Sequence, residues 1–302
     1  MQLGVGASLS VDIVRWLCAS GILCLLVFLV RAALNSHRQC WRARHLSAKE
    51  APSCSIDDLP RPFLLQSLPH SRRRDAAVLA ARAFCNSPAY VHILRGDRVF
   101  RLEALAWLFE RNIALVQHAS PPTDPTFSLF STSGSLLSFF WLLPAASPIS
   151  LWSKLRAGLL WFPFLFGTAP FIRLLTTAGQ MDKIVHDVLL KNIPSASERH
   201  RALILERMVV EPTVQGRGVG SSCLKSALPP DARVPVVLTT QLQSNVDFYS
   251  RLGFQVVHEQ RMGAAADPFA FRSWCMLRTS HAHAHAHAHA HAHAHAAAPA
   301  CD

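Results

Sequence analysis

The stretch Leu205–Leu228, LERMVVEPTVQGRGVGSSCLKSAL, sets Gly216, Gly218 and Gly220 between a β-rich run and an apolar helical one. Glycine admits backbone angles closed to other residues. Successive N–H groups at a helix N-terminus can then face one concavity, where the dipole favours an anion. Such a loop is a tight strand-to-helix turn or a cradle for a pyrophosphate, and the pattern alone leaves both open. A P-loop needs Gly-Lys-Ser/Thr after its last glycine, but Gly220 is followed by Ser221 and Ser222, with no lysine for a β/γ-phosphate. A dinucleotide loop needs its third glycine where Ser221 stands, and an acid where Thr239 and Thr240 end the next strand.

Outward from the loop, hydrophobic periodicity predicts alternating elements. Residues 202–212 read as a strand, 218–228 as a helix, 234–241 as a strand, 245–252 as a short helix, and 253–262 and 269–278 as strands. Upstream, a helix begins with Ser71 as cap and stops at Pro88, and a second runs over 98–118. Residues 126–144 form a hairpin around Ser-Gly-Ser. Residues 149–176 are strongly apolar, but Pro163, Gly167 and Pro170 predict broken helices rather than a membrane span, with a further helix over 179–192. The fold class is α+β.

VVEPTVQGRGVGSSCL followed by NVDFYSRLGF resembles the GNAT superfamily of acetyl-CoA-dependent N-acetyltransferases. Gln215, Gly218 and Gly220 match its phosphate-loop pattern, and Asn245, Tyr249, Gly253 and Phe254 its second signature. A PAYVHIL turn, a Trp-containing helix and a hairpin ending in WLLP extend the likeness, which spans residues 65–278. It implies a three-layer sandwich of the acyl-CoA N-acyltransferase type, with a mixed, mostly antiparallel twisted sheet flanked by helices. The hydrophobic segment 145–180 is a departure from compact members, so their acceptor pocket does not carry over.

The resemblance also implies roles. Acetyl-CoA is the donor, with its pyrophosphate on the backbone of Gln215, Gly216, Arg217, Gly218, Val219 and Gly220, and Arg217 screening charge. Met208, Val209 and Val210 hold the pantetheine arm, and an N–H near Val209 polarises the carbonyl. Tyr249 supplies the proton to the departing thiolate. Glu206, read with the same side-chain parity as Met208 and Val210, is the candidate base. An ion pair with Arg207, or no dedicated base, stays open. Asn245 contacts the cofactor or caps the helix of Tyr249. Glu211 reads as solvated, and Asp247 and His258 are further candidates without positional support. The acceptor is a small-molecule or peptide primary amine that the sequence does not identify. A non-catalytic acyl-CoA-binding or membrane-associated scaffold on the same fold is the alternative function.

Composition bounds the remainder. The 302 residues carry 30 Lys+Arg against 19 Asp+Glu, a net charge of +11, yet no nucleic-acid motif accompanies the charge and no nucleic-acid partner is expected. The eight cysteines are scattered without a CxxC pair, so neither a disulfide framework nor a metal site is expected. Residues 16–30, WLCASGILCLLVFLV, are uncharged and apolar and predict a transmembrane helix over 13–34. The basic flank to residue 45 places the catalytic domain on the cytosolic side. A cleaved signal or organelle-targeting segment, or a core helix, stands as the alternative. Proline-rich residues 46–64 read as a linker, 65–280 as the N-acetyltransferase domain with its hydrophobic helical insert 145–180, and 281–302 as a low-complexity His-Ala tail.

Overall fold

The computed structural model describes residues 59–60, 62–119, 124–146, 149, 151–229 and 234–279, together with Ser36. Apolar alternation in 126–144 builds the hairpin β1 (Thr126–Phe130) and β2 (Leu136–Pro144), which turns through Gly134. β2 pairs antiparallel with β3 (Leu203–Val210), and β3 runs parallel to β4 (Val236–Thr240). β4 pairs antiparallel with β6 (Phe271–Arg278), which pairs with β5 (Gln255–Met262), so the order is β1-β2-β3-β4-β6-β5. The single parallel step is the one that needs a crossover helix, α8 (Val219–Ala227). The expected mixed, mostly antiparallel sheet with flanking helices is therefore present.

Strand alternation sorts side chains to two faces. Phe139 and Trp141 turn to α1 (Arg73–Phe84) and α3 (Arg98–Ala119), where Ala76, Ala77, Ala80 and Ala104 let the helices approach closely. Phe140 and Leu142 turn to α8 and α9 (Gln243–Ser250), which also bury Leu224 and Tyr249. Asp97 starts α3 by accepting the Phe100 N–H at 2.7 Å. Ser71 does not cap α1 as expected: it lies in a single 3₁₀ turn, His70–Arg72, and Arg72 holds the N-cap. PAYVHIL is no turn but the helix α2 (Pro88–Leu94), because Pro88 at the first position loses no hydrogen bond there.

The apolar insert is broken, as expected, into α4 (Leu151–Arg156), α5 (Phe162–Phe166) and α6 (Thr168–Asn192). The breaks fall at Gly158 and Gly167, whose φ angles are 107° and 98°, while Pro163 and Pro170 sit in first turns. α6 runs unbroken past residue 180, so the insert and the following helix are one element, and the short helix α7 (Ala196–Arg201) leads from it to β3. Its Ile184, Val188 and Leu189 cover Val237, Cys275 and Leu277 on the α1–α3 side of the sheet.

The expected single-pass membrane localisation is corrected here: among the described residues no helix is long and apolar enough to cross a membrane. The segment 13–34, most of the linker and the tail 281–302 lie outside the described residues.

Candidate functional site at the end of β3

β3 is held on both sides only at its start. Its parallel pairing with β4 consists of Leu203 with Val236 and Ile204 with Val237, after which the described residues give the two strands no further register. The β2 side explains the divergence. Trp141 pairs with Glu206 and Phe139 with Val209, so β3 carries one extra residue, a β-bulge that bends it. Within the bulge Arg207 takes φ 59°, a left-handed conformation unfavourable for a side chain with a Cβ.

Arg207 is held there by its surroundings. Its Nη1 donates to the Tyr90 hydroxyl, and the guanidinium lies 5.1 Å from the Phe109 ring centre, 5.7 Å from Tyr90 and 6.0 Å from Trp141. Glu206 accepts a hydrogen bond from Trp141 Nε1 at 3.1 Å instead of pairing with Arg207. The bulge also corrects the expected parity. Glu206, Arg207 and Val209 share the face of Trp141, whereas Met208 and Val210 pack on the α8 side. Asp182 of α6 joins Glu206. Desolvation first, then the Glu206 carboxylate, raises its pKa above the ordinary carboxylate value, against the pull of Lys154 and Arg207.

Beyond β3, a 3₁₀ turn (Pro212–Val214) leads to the glycine loop. Gln215 folds back, its Nε2 donating to Val210 O at 2.8 Å, and Gly218, at φ 78°, caps α8. The α8 N-cap has no side-chain hydrogen bond, and Gln215 to Gly218 are exposed, so first-turn N–H groups face outward with the positive end of the helix dipole. Gly220 sits at a close approach: a Cβ there would lie 3.3 Å from Val210 Cγ2 and 3.4 Å from Met208 Cε. This donor set fits an anionic group.

The remaining predicted residues separate. Tyr249 lies buried beside Phe248 and Phe254, at ring distances of 5.0 and 5.7 Å, and burial alone holds its hydroxyl well above the ordinary phenol pKa. No hydrogen bond joins it to Glu206, which faces the opposite side of the sheet. Asn245 stands inside the first turn of α9, where Leu242 is the N-cap, so Asn245 does not cap that helix. Glu211 is not solvated: it is buried and pairs with Arg82 at 3.1 Å, tying the loop's entrance to α1. Asp247 accepts from Gln243 at 3.0 Å, and His258 pairs with Gln260 at 3.2 Å on the edge strand β5. Among the described residues no group of side chains is arranged to hold a metal ion. Sequence reasoning missed Trp141, Asp182 and Tyr90, which reach Glu206 and Arg207 from three other elements.

Residues 178–256, from α6 through the glycine loop to the start of β5, match the model of the acetyltransferase (GNAT) domain. Among solved structures, the C-terminal condensation domain of Ebony in complex with beta-alanyl-dopamine is similar at 8% identity over 72% of this chain and 98% of that one, with a TM-score of 0.51. The histone acetyltransferase HPA2 and related acetyltransferase from Corynebacterium glutamicum gives 16% identity, coverage of 72% and 96%, and a TM-score of 0.45. Arylalkylamine N-acetyltransferase 2 from Aedes aegypti gives 11%, coverage of 72% and 99%, and 0.42. No curated protein sequence matches the chain.

Proposed function

We propose that the protein is an acyltransferase that moves an acetyl group from acetyl-CoA to a primary amine, a reading supported by the match of residues 178–256 to the acetyltransferase (GNAT) domain model. The observation that carries this reading is the exposed glycine loop at the head of α8, set beside the strand end where β3 leaves β4. The first-turn N–H groups and Arg217 hold the pyrophosphate, and the backbone edge of Met208 to Val210 that β4 leaves unpaired takes the pantetheine arm. Bound there, acetyl-CoA supplies an activated thioester carbonyl.

Transfer forms a nitrogen–carbon bond and breaks the carbon–sulfur bond. The thioester would lie in the opening where β3 leaves β4, which borders both faces of the sheet. The amine's proton goes to Glu206 from one face, directly or through water, and the thiolate takes a proton from Tyr249 on the other. A hydroxyl kept protonated by burial is in the form a proton donor needs. Asn245 contacts the cofactor from the first turn of α9. On this reading residues 65–280 form the catalytic domain.

Calorimetric titration of acetyl-CoA into the full chain tests the first half of this proposal. We expect binding in roughly the micromolar range, weakened about tenfold or more by Arg217→Glu, an exposed substitution. A folded wild-type chain that releases no binding heat sinks the reading. Chemistry is tested by Tyr249→Phe, which should keep the affinity and lower amine-dependent release of CoA about 100-fold. Equal binding with no turnover in the wild type, across a panel of amines, means an acyl-CoA-binding protein instead.

A further inference from the structure

A cleft of about 420 Å³ opens between α2, α6 and the turn joining β5 to β6, lined in part by His92, Arg95, Arg173, Gln180, Arg261 and Asp267. Neither the glycine loop nor Glu206 nor Tyr249 lines it. Three guanidinium groups face this one space, and Asp267 is the carboxylate among its walls. That carboxylate is already committed: Arg95 Nη2 lies 2.6 Å from Oδ2, His92 Nδ1 lies 3.3 Å from it, and Phe269 N donates to Oδ1 at 3.0 Å.

The arginines retain donors. Arg173 gives Nε to Ile93 O at 2.8 Å, which orients its plane and leaves both terminal nitrogens without a hydrogen-bond partner among the described residues. Arg261 gives Nη2 to Ala265 O at 3.2 Å, and Arg95 gives Nε to His92 O at 3.4 Å. Burial first, then Arg95, holds the His92 imidazole below its ordinary pKa against the pull of Asp267, which disfavours a further positive charge here. Like charges crowded into a partly buried space repel, and an anion between them removes the repulsion while filling the open guanidinium fork.

We propose that this cleft is a binding site for a small anion bearing carboxylate or phosphate groups, with Arg173 as its bidentate anchor and Arg95 and Arg261 completing the charge. The site stands independently of the acyl-transfer reading, since none of its lining residues is one assigned to the cofactor or to the reaction, although α2 and α6 border both.

Succinate and inorganic phosphate, each titrated calorimetrically into the full chain at ionic strength fixed with sodium chloride, test it. We expect saturable binding of at least one, with Kd about millimolar or tighter. Arg173→Gln and the exposed Arg261→Gln should each weaken it about tenfold, while Arg217→Glu in the glycine loop leaves it unchanged. Asp267→Asn removes the competing carboxylate and should tighten binding, an effect that damage to the fold does not produce. Preference for succinate assigns a carboxylate ligand, and preference for phosphate a phosphate ester. No saturable binding of either anion, or affinities equal in all these variants, overturns the proposal.

Discussion

Arg207 concentrates the tension of the fold in one residue. A left-handed backbone costs an ordinary side chain on the order of 1–3 kcal/mol, and the surrounding structure supplies the compensation: a hydroxyl from α2 and rings from α2, α3 and β2. Arg207→Ala keeps the strain, vacates the ring cage and leaves the Tyr90 hydroxyl unpartnered, so we expect a loss of about 2–3 kcal/mol in urea unfolding. Arg207→Gly removes the same contacts but relaxes the backbone, and should be about 1 kcal/mol more stable than the alanine variant. That order inverts the usual preference for alanine. None of this was legible from residue 207 itself, because its φ follows from a register slip against Trp141, a partner far away in the chain.

At the level of elements, the joint between α8 and β3 sets how closely the glycine loop approaches the strand end. Gly220→Ala places a Cβ at 3.3–3.4 Å from side-chain tips that can shift slightly, and alanine favours the helix by about 1 kcal/mol, so the change should be nearly neutral in thermal unfolding. Gly220→Val adds two methyl groups to the same gap and should cost about 1–3 kcal/mol. The elements were largely readable because their signals are local: alternation in 126–144 for the hairpin, helical spacing in 98–118, and glycines between strand and helix at 216–220. What escaped depended on distant partners or on caps with two meanings. Ser87-Pro88 reads equally as a turn or as a helix start. Gly179 looked like a boundary inside α6, yet a Cβ there would meet nothing within 4 Å, so the helix passes through it. Glu211 gave no sign of Arg82, the partner that buries it.

For the molecule as a whole, the two faces of one sheet are sealed by apolar layers that also enclose thiols. Burial pushes the Cys223 thiol up to about 11 and the Cys275 thiol up to about 12, from an ordinary value of 9.0. A group whose folded pKa is raised contributes its full stability below the unfolded value and loses it as pH climbs through the folded one. The fold should thus be indifferent to these thiols at pH 7 and weaken between pH 9 and 12, by on the order of a few kcal/mol. Urea midpoints at pH 7 and pH 10.5 measure the drop, and Cys275→Ala should make it shallower. The six-stranded layout was legible at this scale, but the charged cleft beside α6 was not, since its arginines come from segments that only folding brings together.

The bond from Trp141 to Glu206 has an optical side. An indole's emission follows the charges and dipoles near its ring, and this indole donates to a carboxylate on the strand that borders the glycine loop. Any molecule that claims that carboxylate, or any proton that neutralises it, alters the field across the ring and shifts its emitted wavelength. The fold has thereby wired a fluorophore to the carboxylate proposed as the base.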